Sequence, residues 1–465
     1  MNEPLPNEQR PADRTATAPD SAWQPNIVAM VCRWCTYAGA DLAGTSRLTY
    51  PAAVRLVRFP CTGRMNPLFI IKAFDSGADG VLVSGCHPGD CHYVQGNLYA
   101  RRRFATFKAM MEFVGLDPRR LHFSWVSASE GTKWVKVVEE VTSAVRAVGP
   151  ATSGNGADGA GIPKPEAVSR TPASATEREA LTRKLREVAS ELLSSGKVSL
   201  ILGYRRGTLP GQTVAGFVAR REEADDLIWD ERCFQNLSVY LPRIEEGGGK
   251  VGAIVKQCDA ATVVGLLQEK QVRREDLHLI GVQCSGVWEE GNLAAKCRTC
   301  DGQVSPVCDV AVTPESASGV AVEPEPDPRD AAIAYLESLP AETRWDFWQE
   351  EFARCIRCYA CRAVCPLCYC ESCITDKHRP QWISPAIDET GNTAWNLIRA
   401  FHLAGRCTGC DECARVCPAD IRLDLLNRKL ALEVEQRFGH RAGTDVDAVP
   451  PLTEFRDDDS EEFIL

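Results

Sequence analysis

The chain has 465 residues, 44% hydrophobic and 25% charged, with a net charge of −10. The composition is globular, the length suits roughly two to four domains, and the acidic balance argues against nucleic acid as the main partner, since such binders need basic surfaces. The anomaly is a count of 22 cysteines. The chain does not open with a basic stretch followed by an apolar core, so no signal peptide is expected, and no run of about 18 apolar residues suggests a membrane span. Disulfides are rare in the reducing cytosol, where grouped cysteines more often bind metal. The expected location is therefore cytoplasmic.

Residues 1–24 are polar and rich in Pro, Ala and Thr, the composition of a disordered segment. From 25 to 148, strand-like and helix-like stretches alternate. NIVAMVC, VRLVRFPC and GVLVSGC are short apolar runs of the kind that form buried parallel strands, and NPLFIIKAFDSGA reads as helical. This alternation predicts an α/β module with a flavodoxin-like open parallel sheet. The three runs end in Cys32, Cys61 and Cys86, and Cys35 and Cys91 lie in the loops just beyond. Ligands of such sheets bind outside the carboxyl ends of the strands. Five thiols therefore converge on one edge and predict a metal site, with a redox dithiol at Cys32-x2-Cys35 as the rival. Cys61 and Cys86, at strand ends, are the most rigidly placed. His87 and His92 are expected to fix the loop rather than to ligate. Arg101, Arg102 and Arg103 read as a solvated helix face, with a docking site for an acidic partner as the second reading.

CRWCTYAGADLAG (32–44), PCTGRMNP (60–67), ADGVLVSGCHPGDCHY (78–93) and SASEGTKW (127–134) together resemble the delta subunit of methyl-viologen-reducing hydrogenase over nearly the whole module. The resemblance implies a 2Fe-2S centre held by four of the five cysteines, and docking onto a heterodisulfide-reductase-like flavoprotein subunit.

Residues 149–177 hold almost no large apolar side chain and read as a flexible linker. The second module, 178–310, opens with the amphipathic stretch REALTRKLREVASELLSS and continues with VSLILGY, KVGAIVK and LHLIGVQC as strands, again α/β. Gly247, Gly248, Gly249 and Lys250 lack P-loop spacing and read as a tight turn. Cys258 and Cys284 follow two strands on the ligand edge, and Cys297-x2-Cys300 closes the module. KQCDA (256–260), IGVQCSGV (280–287) and KCRTC (296–300) resemble the beta subunit of deazaflavin-dependent hydrogenases and formate dehydrogenases. That resemblance implies FAD and hydride exchange with a deazaflavin or nicotinamide. The lack of a Gly-rich dinucleotide fingerprint after a strand argues against flavin.

Residues 311–330 carry four prolines among acids and read as a stiffer linker. In the third module, 331–465, cysteines fall into two matching rows, Cys355-x2-Cys358-x2-Cys361-x3-Cys365-Pro366 and Cys407-x2-Cys410-x2-Cys413-x3-Cys417-Pro418. This is the ligand pattern of a two-cluster ferredoxin, in which the fourth cysteine of each row ligates the other cluster. One 4Fe-4S centre is thus expected on Cys355, Cys358, Cys361 and Cys417, and the other on Cys407, Cys410, Cys413 and Cys365. Zinc also uses CxxC pairs but does not account for the third cysteines or the Cys-Pro endings. TAWNLIRAFHLAG lies between the rows, and AAIAYLESLP and TRWDFWQEEFARC lie upstream, all helical by period. The module is therefore expected to be mainly α-helical, and it resembles the helical two-cluster ferredoxin of the heterodisulfide reductase and fumarate reductase class. Cys368, Cys370 and Cys373 fall between the rows. Cys297 with Cys300, and Cys370 with Cys373, have ligand spacing and predict at least one further 4Fe-4S centre where the second and third modules meet, with a zinc site as the alternative. The closing RDDDSEEFIL reads as a solvated acidic end.

These features predict an electron-transfer subunit that joins the catalytic subunit of a formate dehydrogenase or hydrogenase to a heterodisulfide-reductase-like complex, with catalysis in the partners. Two readings stand beside it. One is a flavin-dependent dehydrogenase subunit, which would release a yellow chromophore; the other is a zinc-scaffold interaction protein, which would be colourless.

Overall fold

The computed structural model of the chain describes residues 23–151, 162, 171–244, 249–289, 291–314 and 325–465. Residues 1–22 of the expected disordered start, most of the 149–177 linker, the middle of the 311–330 linker, and Gly247 and Gly248 of the expected turn lie outside the described residues.

The first module alternates β1 (Ile27–Cys32), α1 (Thr36–Thr45), β2 (Val54–Phe59), α2 (Pro67–Asp75), β3 (Gly80–Gly85), α3 (Gly96–Phe113), β4 (Leu121–Trp125) and α4 (Gly131–Val148). All pairings are parallel, in the order β2-β1-β3-β4. Valine-rich β1 and β3 are central and buried on both faces, as helices on both sides require. β2 departs from its reading as a buried strand. It is an edge, and Arg55, Leu56, Val57 and Arg58 are exposed. β4 escapes the search for apolar runs, because LHFSW is polar at alternate positions.

The acidic closing stretch keeps most of its charged residues exposed, as expected of a solvated end, but Asp459 and the last three residues fold back onto this module. Ile464 forms a parallel bridge to Phe123 of the open edge strand β4, and the Leu465 amide donates to the Phe123 carbonyl at 2.9 Å. It thereby takes the place of the fifth strand in a 2-1-3-4-5 order. The basic patch is buried rather than solvated. Arg102 is 1% exposed in its side chain and meets Asp459 at 2.6 Å, and Arg101 meets Glu461 at 2.6 Å. Removing these guanidiniums from water is tolerable because each finds a carboxylate. The second reading of the patch, an acidic partner, is realised within the chain itself.

The middle module comprises α5 (Ala175–Ser194), β5 (Leu200–Arg206), β6 (Thr213–Val218), β7 (Val251–Val255), α6 (Gln257–Gln268), β8 (Leu277–Val282), the short pair β9 (Trp288–Glu289) and β10 (Asn292–Leu293), α7 (Ala295–Arg298) and β11 (Val310–Val312). Its sheet runs β11-β8-β7-β5-β6, parallel except for the β5–β6 hairpin. Helix α5 begins with a capping box in which Ser174 and Glu177 satisfy each other's backbone amides.

The third module is helical: α8 (Pro328–Ser338), α9 (Ala341–Ala353), α10 (Ala360–Ala363), α11 (Glu389–His402), α12 (Glu412–Arg415) and α13 (Leu423–Phe438). It shares one apolar core with the first module, where Phe107 of α3 meets Phe401 of α11 edge-on at 5.4 Å and Phe113 packs on Trp348 of α9 at 5.6 Å. Leu367 and Leu403 join the core of the middle module instead. That junction is fastened by Arg406, whose Nη2 donates to Glu269 at 2.6 Å, and by a hydrogen bond between Thr262 and Thr408 at 2.9 Å.

Candidate iron-sulfur centres

In the first module, β1, β2 and β3 deliver Cys32, Cys61 and Cys86 to one edge, and the loops supply Cys35 and Cys91. The five thiols are buried together. They fall into two close pairs, with Sγ atoms 3.6 Å apart in Cys32–Cys86 and 3.7 Å apart in Cys61–Cys91. A thiol hydrogen bond from Cys86 holds Cys32 down at about 6, while burial pushes Cys61 up to about 11. Crowding buried thiolates without a cation is unfavourable, a penalty that a bound metal relieves. The loops are pinned around the thiols. Asn97 donates to the carbonyls of Cys86 and His87 at 3.0 and 2.8 Å, His87 meets Glu130 at 2.7 Å, and His92 stacks on Trp34 at 3.8 Å. Both histidines therefore brace the loop, as expected. Gly96 opens α3 directly against the thiols, and a Cβ there would lie 2.6 Å from Cys61 Sγ.

The two rows of the third module repeat one backbone. The second residue after the leading cysteine has positive φ in both, at Arg357 (56°) and Gly409 (70°). So does the fourth, at Tyr359 (60°) and Asp411 (57°), which precede the short helices α10 and α12. Two left-handed residues curl each loop so that its three cysteines gather on one side, with Cys358 of the first row still exposed. The fourth cysteines cross over, as the ferredoxin pattern requires. Cys361 lies among Cys355, Cys358 and Cys417, whereas Cys365 lies near Cys407, Cys410 and Cys413. Burial pushes Cys407, Cys410 and Cys413 up to about 12.

A third group of thiols sits in the middle module. Cys258 is in the first turn of α6, Cys284 lies just past β8, Cys297 is in α7, and Cys300 follows it. All four line one small cavity with Lys256 and Lys296. Backbone amides of Gly286, Val287 and Gly302 donate to the sulfurs of Cys284, Cys297 and Cys300, each at 3.4 Å. Amide donors to thiolate sulfur are among the features that tune iron-sulfur sites. Cys297 and Cys300 are thus brought together with Cys258 and Cys284. The sequence placed those two at strand ends without naming them as ligands. Cys368, Cys370 and Cys373 do not join this cavity. Cys368 lies against Cys365, Cys370 is exposed, and Cys373 packs on the core shared by the first and third modules. Among the described residues no three or more His, Cys, Asp or Glu side chains converge on a single-ion site. Of the other two cysteines, Cys233 is buried in the middle core and Cys308 packs beside Gly281.

Comparison with known proteins agrees with this division. Residues 27–149 match the family model described as methyl-viologen-reducing hydrogenase, delta subunit. They are 48% identical over 128 residues to an iron-sulfur subunit of the F420-non-reducing hydrogenase of Archaeoglobus profundus, covering 28% of this chain and 93% of that protein. The chain belongs to the delta-subunit family. A second relative, the vhu iron-sulfur subunit of the F420-non-reducing hydrogenase of Methanocaldococcus jannaschii, is 43% identical over 126 residues, 27% of this chain and 94% of the relative. One subunit of the Ferredoxin:CoB-CoM heterodisulfide reductase of Methanosarcina mazei is 42% identical over 144 residues, 31% of this chain but only 18% of that longer protein. Residues 354–422 match a 4Fe-4S dicluster domain. This delta-subunit relative is therefore an iron-sulfur electron-transfer protein with a 4Fe-4S dicluster domain beyond its family module. Among the described residues no helix is long and apolar enough to cross a membrane.

Proposed function

We propose that the chain relays electrons through four iron-sulfur centres. These are a 2Fe-2S centre in the first module, two 4Fe-4S centres on the ferredoxin rows with the fourth cysteines exchanged, and a further 4Fe-4S centre on Cys258, Cys284, Cys297 and Cys300. Such clusters, when bound, accept and release single electrons at potentials set by burial, charge and hydrogen bonding. The observation that carries this reading is the gathering of the thiols into local groups: five buried together in the first module, two crossed sets of four on the ferredoxin rows, and four around one cavity of the middle module. Two thiolates on one tetrahedral metal, with metal–sulfur bonds of about 2.3 Å, stand about 3.8 Å apart. The pairs Cys32–Cys86 at 3.6 Å and Cys61–Cys91 at 3.7 Å suit one iron each, and Cys35, which also meets the Cys86 thiol but pairs less closely, is assigned as the fifth, dispensable thiol. The relatives, subunits of hydrogenases and heterodisulfide reductases, support a place between two such partners; a formate dehydrogenase in place of the hydrogenase, a flavoprotein partner and a reducing cytoplasm rest on the sequence reading alone. Catalysis then lies in the partners, and this chain needs no flavin of its own.

Iron, sulfide, zinc and flavin analysis of the anaerobically purified chain tests the reading, with about fourteen irons expected. A count near ten would remove the middle centre. Stoichiometric zinc or an acid-released yellow chromophore would replace the proposal with one of its rivals. In the first module, Gly96→Ala should lose the 2Fe-2S signal and about two irons, because its Cβ would fall 2.6 Å from Cys61 Sγ. Cys35→Ala should keep that signal.

A further inference from the structure

Two buried cations stand at the junctions between the thiol groups. Lys296 precedes Cys297 and lines the middle cavity, yet its Nζ reaches across the module boundary to donate to the carbonyl of Cys410 at 3.0 Å, with Glu412 at 3.6 Å. Arg399, on α11, is 3% exposed and donates from Nη2 to the carbonyl of Cys361 at 2.8 Å. It faces thiols of both rows, Cys361 from the first and Cys365 and Cys413 from the second. Its Nε is buried and has no hydrogen-bond partner among the described residues. Both cations line a cavity of about 580 Å³ that joins Cys258 and Cys300 to Cys365, Cys407 and Cys413.

Burying a guanidinium without a carboxylate is strongly disfavoured. No ion pair joins Arg399 to a carboxylate among the described residues; Arg357 is buried in the same way but donates to three backbone carbonyls, whereas Arg399 donates to one and faces thiols of both rows, which favours an anion there. A cluster carrying thiolates and sulfides supplies that negative charge and an acceptor for the orphaned Nε–H. Lys296 has Glu412, but the same carboxylate also meets Arg415 at 2.8 Å, so two cations share it.

We infer that Arg399 and Lys296 set the relative reduction potentials of the three 4Fe-4S centres, Arg399 acting on both ferredoxin centres and Lys296 on the second-row centre and the middle one. The inference rests on the four-centre reading above. A fixed positive charge favours the reduced, more negative state. The second-row centre faces both cations, so it is favoured as the place where the electron rests. Each hop moves one electron and no proton, one centre being oxidised as its neighbour is reduced, with no further reactant.

The test is a redox titration of the full chain followed by electron paramagnetic resonance, with signals assigned through single-cysteine variants, in Lys296→Gln, Lys296→Arg, Arg399→Gln and Arg399→Lys. At unchanged iron content, Lys296→Gln should lower the second-row and middle potentials by about 59 mV or more, a tenfold change for a one-electron couple. The first-row and N-terminal centres should hold still. Arg399→Gln should lower the two ferredoxin centres and spare the middle one. The charge-keeping exchanges should stay near wild type. Potentials that do not move, or that all move together, overturn the inference. If a Gln variant loses iron, the exchange at that position must restore both iron and potential; if it restores neither, the residue is only packing and the inference fails. A wild-type count of about ten irons would instead sink the middle centre, leaving the Arg399 pattern to be judged separately.

Discussion

Cys355 and Cys361 sit in the core that spans the first and third modules, with Cys417 packed against it, whereas the second-row site is divided, Cys413 lying in that same core while Cys407 and Cys365 pack against the core of the middle sheet. The rows have one spacing and one backbone, but different surroundings. The first keeps an open side, where Cys358 is exposed and Ile356 is 55% exposed. The second is closed in by α6, Lys296 and the 442–444 loop. Sequence repetition therefore fixes the local chemistry of a cluster loop, while its surroundings, and with them its potential, come from residues far away in the chain.

The sharpest way to break the comparison is through the crossed cysteine. Cys365→Ser changes the first row in sequence but should empty the second row in space. About four irons should be lost, with the first-row signal intact. Loss of the first-row signal instead would show that each row serves its own cluster. A smaller effect is expected on the first row's side of the molecule, where the closing stretch clamps α3. Asp459 is 8% exposed in its side chain and serves both Arg101 and Arg102. Removing one partner of a buried pair costs roughly 3–5 kcal/mol. Glu454 can still reach Arg102, so Asp459→Ala should cost about 3 kcal/mol, the low end of that range. Denaturant unfolding of the full chain would measure it. A change below about 1 kcal/mol, the value of an exposed pair, would return the stretch to the status of a solvated end.

Much of this arrangement was legible in the sequence. The doubled cysteine spacing pointed to the dicluster domain that residues 354–422 match, because ligand spacing is encoded over a few residues. The alternation of apolar runs gave the parallel sheet and its ligand edge, because strand period is equally local. What escaped depended on distant partners. Arg101 and Arg102 look like surface charges until Asp459 and Glu461 return from far along the chain. Lys296 and Arg399 carry no motif at all. Cys258 and Cys284 were seen at strand ends, but only the packing of α7 beside β8 sets them with Cys297 and Cys300. For Cys370 and Cys373 the spacing pointed to shared ligation, yet neither lines the middle cavity, Cys370 being exposed and Cys373 packed on the core shared by the first and third modules.

The rows also differ at one matched position, which gives the smallest and most exact comparison. Arg357 and Gly409 both adopt positive φ. Arg357 holds that conformation because its buried guanidinium donates to the carbonyls of Gly391 at 2.9 Å, Ser384 and Ala386. Arg357→Gly relieves roughly 1 kcal/mol of backbone strain, but it removes charged hydrogen bonds worth roughly 1.5–3 kcal/mol each. With the Ala386 contact at the 3.5 Å limit, the other two bonds at the low end of that range make the net loss at least about 2 kcal/mol in denaturant unfolding with iron retained. At Gly409 a Cβ has room, the nearest atom being a guanidinium nitrogen of Arg329 at 3.7 Å. Gly409→Ala should therefore cost only the left-handed strain, about 1 kcal/mol. A larger loss at Gly409, or iron lost there and not at Arg357, would mean that the second-row loop is held by the cluster itself rather than by its own backbone.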